Sequence, residues 1–98
     1  MDDSKNYIYI ITNGEDYKVG FSKNPNKRLK QLQTGNSKKL KLINVYQVPD
    51  RLVRIIEKEA HREIRIRYEK RGEWFKGASE FYVKLLVDMV CEKYYPQT

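Results

Sequence analysis

The sequence predicts a small α/β (α+β) domain: a three-stranded sheet, antiparallel or mixed, flanked by helices in the order β-β-α-β-α-α. Three observations predict it. Residues 7–12 (Tyr-Ile-Tyr-Ile-Ile-Thr) are all β-branched or aromatic and run straight into Asn13-Gly14, a hairpin signal. Residues 40–48 alternate between apolar and polar. Two stretches after residues 50 and 79 repeat apolar side chains every three or four positions.

Each element follows in turn. Residues 7–12 are the first strand, 13–16 the turn and 17–22 the return strand. Asn24-Pro25 reads as an N-cap followed by proline at the first helical position. The helix runs to about Gln33 and stops near Gly35-Asn36, with Leu29 and Leu32 inward and lysines outward. Residues 40–48 form the third strand. Pro49 breaks it, and Asp50 caps a long helix reaching about Tyr68, with Val53, Ile56, Ala60 and Ile64 toward the core. Arg71-Gly72 is a loop, and Trp74 and Phe75 close the core between the last two helices. Ser79 caps a final helix to about Tyr94 that buries Val83, Leu86, Val87 and Val90.

Ninety-eight residues make one domain, with its core at about 6–76 and its C-terminal helix at about 79–94. No internal repeat or linker divides it. The absence of any run of 18 apolar residues excludes a membrane-spanning helix. A single cysteine, Cys91, excludes an internal disulfide or a zinc cluster, and is read as a buried hydrophobe. With a polar N-terminus unlike a secretory signal, the expectation is an intracellular protein, cytoplasmic or nuclear.

Charge is the first pointer to function. Twenty Lys and Arg against thirteen Asp and Glu leave +7, which suggests a polyanionic partner. Residues 22–42 hold seven basic side chains and no acid; residues 51–71 hold eight against four. Lys23, Lys27, Lys30, Lys38 and Lys39 are expected to track a phosphate backbone without reading sequence. The plainer reading is a merely soluble basic surface.

The hairpin holds the candidate chemistry. Any two- or four-residue loop within 13–16 pairs residues whose numbers sum to an odd value, so Tyr7, Tyr9 and Ile11 share a face with Lys18 and Gly20. A lysine beside two phenols favours the phenolate and makes tyrosine a better base. Gly20, without a side chain, leaves room for a substrate backbone. Arg28 on the first helix can clamp a phosphate bidentately. Glu57 and His61 are four apart on the long helix and share a face. One carboxylate can hold Mg²⁺ when phosphate oxygens and waters complete the shell, with Glu59 as the nearest competitor. Taken singly, these are also ordinary strand aromatics, a solvated lysine, a surface arginine and a helix-surface pair.

Taken together, the order and spacing of these residues resemble the GIY-YIG nuclease domain. Tyr7-Ile8-Tyr9 sits where that family has Gly-Ile-Tyr, and Lys18-Val19-Gly20 where it has Tyr-Ile-Gly. Arg28, the Leu32-Gln33-Thr34-Gly35-Asn36 stretch, Glu57 with His61, and Gly72-Glu73-Trp74-Phe75 are similar to a branch rich in viral and phage proteins. The likeness covers about residues 7–75. It implies a metal-dependent endonuclease that cleaves DNA phosphodiester bonds with Mg²⁺ or Mn²⁺. It further implies Tyr9 as general base, Lys18 assisting it, Arg28 on the scissile phosphate and Glu57 as the one protein ligand of the metal. Two departures stand out: Tyr7 replaces the glycine and offers a second base, and Lys18 replaces a tyrosine. His61 relays a proton, orients Glu57, or makes a structural hydrogen bond. DNA is the expected partner, with RNA the other candidate and no membrane; specificity would come from a homodimer or a separate subunit. Two other functions stay open: a nucleic-acid-binding module that does not cleave, and an interaction domain for a protein partner.

Overall fold

A computed structural model describes residues 5–96. The N-terminal residues 1–4, on which the reading of the leader rests, lie outside the described residues. Strand β1 (Lys5–Thr12) and strand β2 (Tyr17–Ser22) form the expected antiparallel hairpin. Asn13 closes its turn: the side-chain oxygen accepts from the N–H groups of Glu15 and Asp16 at 2.9 and 2.8 Å, and Gly14 adopts φ 100°. Helix α1 (Pro25–Thr34) begins with Asn24 accepting from the Lys27 N–H at 3.1 Å. Strand β3 (Lys41–Pro49) pairs antiparallel with β1, with a bulge between Ile10 and Ile11.

Helix α2 (Asp50–Arg65) is shorter than its sequence pattern suggests. Arg67 and Tyr68 turn back to bond the Ile64 carbonyl, so the apolar periodicity continues past the helix end. Asp50 is the first helical residue rather than the cap; its carboxylate accepts from Asn6 Nδ2 at 2.9 Å and Lys23 Nζ at 3.3 Å. Strands β4 (Lys70–Arg71) and β5 (Trp74–Phe75) form a minimal hairpin about Gly72, whose φ is 58°. Helix α3 (Glu80–Tyr94) starts at Ser79 as expected.

The sheet therefore has five strands, in the order β3-β1-β2-β5-β4, rather than three. Two-residue strands carry no alternation to read, which is why β4 and β5 look like a loop in sequence. The α+β class holds.

Helices cover both faces. Ile8, Ile10 and Val19 pack against Val53, Ile56, Ala60 and Ile64 of α2 and Val83, Val87 and Val90 of α3. On the other face, Tyr9, Ile11 and Leu40 meet Leu29 and Leu32 of α1. Trp74 and Phe75, neighbours on β5, do not both lie between α2 and α3: Phe75 joins the larger core and Trp74 packs on the Tyr9 side. No helix among the described residues is long and apolar enough to cross a membrane.

Candidate active site

Strand register sets the site. Tyr9 stands directly opposite Gly20, and its ring lies across that residue. A Cβ built on Gly20 would fall 2.5 Å from the Tyr9 hydroxyl oxygen and 2.7 Å from Cζ. The glycine therefore makes room for the protein's own phenol, not for a substrate backbone as its lack of a side chain suggests. Strand β5 pairs with β2 only at Tyr17, so it leaves β2 open from Val19 onward. At that open edge, His61 of α2 donates its Nε2–H to the Val19 carbonyl at 2.6 Å and meets Phe75 edge-on at 5.2 Å. The imidazole stands where another strand would have supplied the hydrogen bond. This bond is the structural hydrogen bond among the three roles open to His61.

The same edge is where side chains from the two faces meet. Arg28 belongs to the helix on the Tyr9 face, Glu57 to the helix on the opposite face, yet the charges of both bear on the Tyr9 phenol. The Arg28 guanidinium of α1 lies close enough to the Tyr9 hydroxyl to favour its ionised form. Burial raises the Tyr9 pKa most; the Arg28 guanidinium lowers it; the carboxylates of Glu73 and Glu57 raise it again, and the net direction is up. Tyr9 is thus a neutral phenol at physiological pH in the free protein.

Lys18 is not the cation that acts on Tyr9. Its side chain is 4 % exposed and pairs with Glu73 at the tip of the β4–β5 turn. That bond to Lys18 holds the Glu73 carboxyl below the usual carboxylate range. The expectation that Lys18 promotes the phenolate is therefore corrected: Arg28 has that place, because Lys18 sits opposite Ile11, one pleat away from Gly20. Tyr7 shares the face of Tyr9, but it stands opposite Ser22 and makes none of the polar contacts that tie Tyr9 to Arg28.

Glu57 is half-buried, and its carboxylate lies 4.0 Å from the His61 imidazole. It is thus available to a ligand. Glu59, the competitor in sequence, is not: it accepts from Lys93 at 2.7 Å and Tyr94 at 2.5 Å, tying α2 to the end of α3. No group of three or more His, Cys, Asp or Glu side chains converges among the described residues. The donor set fits a hard divalent ion held by one carboxylate plus phosphate oxygens and water, and fits no all-protein cage.

Of the lysines expected on a phosphate backbone, Lys27, Lys30 and Lys39 are exposed and pair with no carboxylate among the described residues. Lys38 is bound to Glu15 at 2.6 Å and Lys23 to Asp50 at 3.3 Å, both at the surface. Sequence reasoning missed Glu73 as a site residue and Gln33 as a brace. Gln33 donates to the Lys38 carbonyl at 2.9 Å and accepts from the Leu40 N–H at 2.7 Å, holding the basic loop after α1. Their sole sequence signal lay in the motifs quoted for the resemblance.

Fold and site define a small α+β domain with polar groups gathered at an open sheet edge on a basic surface. Residues 6–91 match the T5orf172 domain, and the chain belongs to that family, a domain of phage-related, nuclease-associated proteins. The matching family is T5orf172 and not the GIY-YIG domain itself. No curated protein and no solved structure matches the chain.

Proposed function

We propose that this domain is a GIY-YIG-like, metal-dependent endonuclease acting on DNA. The observation that carries the reading is the Tyr9 ring seated in the space left by Gly20, with the charges of Arg28 and Glu57 both bearing on its hydroxyl. The resemblance names the same three side chains, and membership of a nuclease-associated family agrees with it.

The chain's own residues have separable tasks. Arg28 binds a non-bridging oxygen of the scissile phosphate and offsets charge developing on the phosphoryl group. Tyr9, in the fraction of molecules whose phenol has given up its proton to solvent, orients the attacking water as phenolate and receives its proton as the new P–O bond forms and the ester P–O bond breaks. Glu57 would hold Mg²⁺ or Mn²⁺, which polarises the phosphoryl group and stabilises the leaving oxygen when bound. Neutralising Glu57 also removes one of the charges that keep the Tyr9 phenol up. Lys18 and Glu73 hold the β4–β5 turn against β2 and act on the site by position.

Supercoiled DNA with Mg²⁺ or Mn²⁺ tests this. The wild-type chain is expected to nick it, and Glu57→Ala or Arg28→Ala to stop nicking; activity unchanged by both refutes the assignment. A second reading, a binding module without cleavage, is favoured by the raised Tyr9 pKa and by the engagement of Lys18 with Glu73. Intact DNA binding with no cleavage under any divalent metal would select it.

A further inference from the structure

The exposed side of α2 carries a feature that the five lysines near α1 do not explain. Arg54, Lys58, Arg62 and Arg65 line one groove of about 560 Å³, whose wall includes Glu57 and whose floor includes Phe21. Their spacing of four, four and three residues puts them on one helical stripe. Eleven residues at 1.5 Å each make a stripe of roughly 16 Å, several nucleotides long at about 3.4 Å of axis per step.

These cations are largely unneutralised. Arg62 is 72 % exposed, and its nearest carboxylate is Glu63 at 3.9 Å. The Arg54 guanidinium carbon lies 5.4 Å over the Phe21 ring, a cation–π contact that leaves its charge without a carboxylate partner among the described residues. Lys58 and Arg65 are exposed and form no ion pair among the described residues. Like charges at i and i+4 destabilise an isolated helix. Four in succession on one groove therefore carry an unfavourable energy that an anionic ligand removes.

We propose that this groove holds the phosphate backbone of the nucleic acid on one side of the cleaved bond, with Arg54, Lys58, Arg62 and Arg65 as contacts that do not read sequence. The inference rests on the nuclease reading for its substrate. Because α1 and α2 cover opposite faces of the sheet, the bound strand crosses the edge of β2. It passes from the α1 lysines over Tyr9 and Glu57 into the α2 groove.

Binding is read apart from cleavage by placing every variant in a Glu57→Ala background, without divalent metal. The full chain is titrated into a labelled DNA duplex by fluorescence anisotropy across a salt series. Arg62→Ala with Arg65→Ala is expected to weaken binding by about tenfold or more and to make the slope of log K against log salt less negative by about 2, at ~0.9 per lost phosphate contact. Arg71→Ala with Lys84→Ala removes the same charge elsewhere and is expected to leave the slope unchanged. Arg62→Lys with Arg65→Lys should recover most of the slope. Equal effects of the two alanine pairs, or no DNA binding by the parent at low salt, overturn the proposal. Loss of slope in a chain that never cleaves DNA supports the groove while refuting the nuclease reading. Cleavage with an unaffected slope does the reverse.

Discussion

The hydroxyl of Tyr9 occupies the space that a Cβ on Gly20 would need, 2.5 Å from that position. This cross-strand pair seats the phenol over β2 where the Glu57 charge from the opposite face bears on it. It also ties the glycine to the tyrosine: neither position can change without affecting the other.

Gly20→Ala is expected to destabilise the fold by about 1–3 kcal/mol, the usual range for overpacking, and to lower cleavage by moving the phenol. In a Tyr9→Leu background the alanine should be tolerated far better. Urea midpoints of the four proteins give the coupling. Additivity within roughly 0.5 kcal/mol would mean the two residues do not compete for space.

Tyr9→Phe keeps the ring and removes the hydroxyl on which the Arg28 charge bears. Loss of a positioned base predicts a fall in kcat/KM of about 10²–10⁴-fold. Tyr7→Phe, opposite Ser22, should change it less than about tenfold on that same scale. Since the Tyr9 pKa is raised, the wild-type rate should climb with pH through the neutral range and into the alkaline. Tyr9→Phe should flatten that limb. A flat wild-type profile, or a larger loss from Tyr7→Phe, would reverse the assignment of the base.

Glu73→Ala leaves the buried Lys18 ammonium without its partner. Glu73 is itself 74 % exposed, so water screens part of the loss, and about 1–3 kcal/mol is expected. Lys18→Met combined with Glu73→Ala should regain most of it, because an apolar side chain needs no counter-charge. The depressed Glu73 pKa contributes stability that is present above the ordinary carboxylate range and lost as pH falls through the folded value. The acid limb of the stability curve should therefore shrink in Lys18→Met.

Alkaline pH should unfold the chain progressively. Burial pushes the Cys91 thiol up to about 12 and also raises Tyr46, Tyr17 and Tyr9. The unfolded chain then loses these protons first, so stability is complete below a free thiol's pKa of about 8.5 and declines as pH rises toward the folded values. Thermal midpoints from pH 8 to 11 should fall, and less steeply in Cys91→Ala. An equal slope in that variant would show that the thiol does not contribute.

Much of this domain is written locally. The faces of the hairpin follow from Asn13-Gly14 and the parity of the loop, so Tyr9 and Gly20 could be placed on one face before any coordinates, and the structure sets them directly opposite. Asn24-Pro25 and Ser79 specified helix starts because their side chains satisfy nearby N–H groups. The apolar positions of α2 marked its buried face. Candidate site residues were legible because their spacing matched a known pattern and their chemistry fitted it.

Tertiary structure decided the rest, and did so wherever partners distant in sequence compete. Nothing local says that Lys18 pairs with Glu73, fifty-five residues away, and so gives its place beside Tyr9 to Arg28. Nothing local says that Glu59 is taken by Lys93 and Tyr94 while Glu57 is left for a ligand. The β4–β5 hairpin is too short to carry a periodic pattern, yet where it ends sets where β2 stays open and His61 can bond. Local steric and hydrogen-bonding preferences fix the elements. The charge environment of the site depends on side chains that only the folded chain brings within reach.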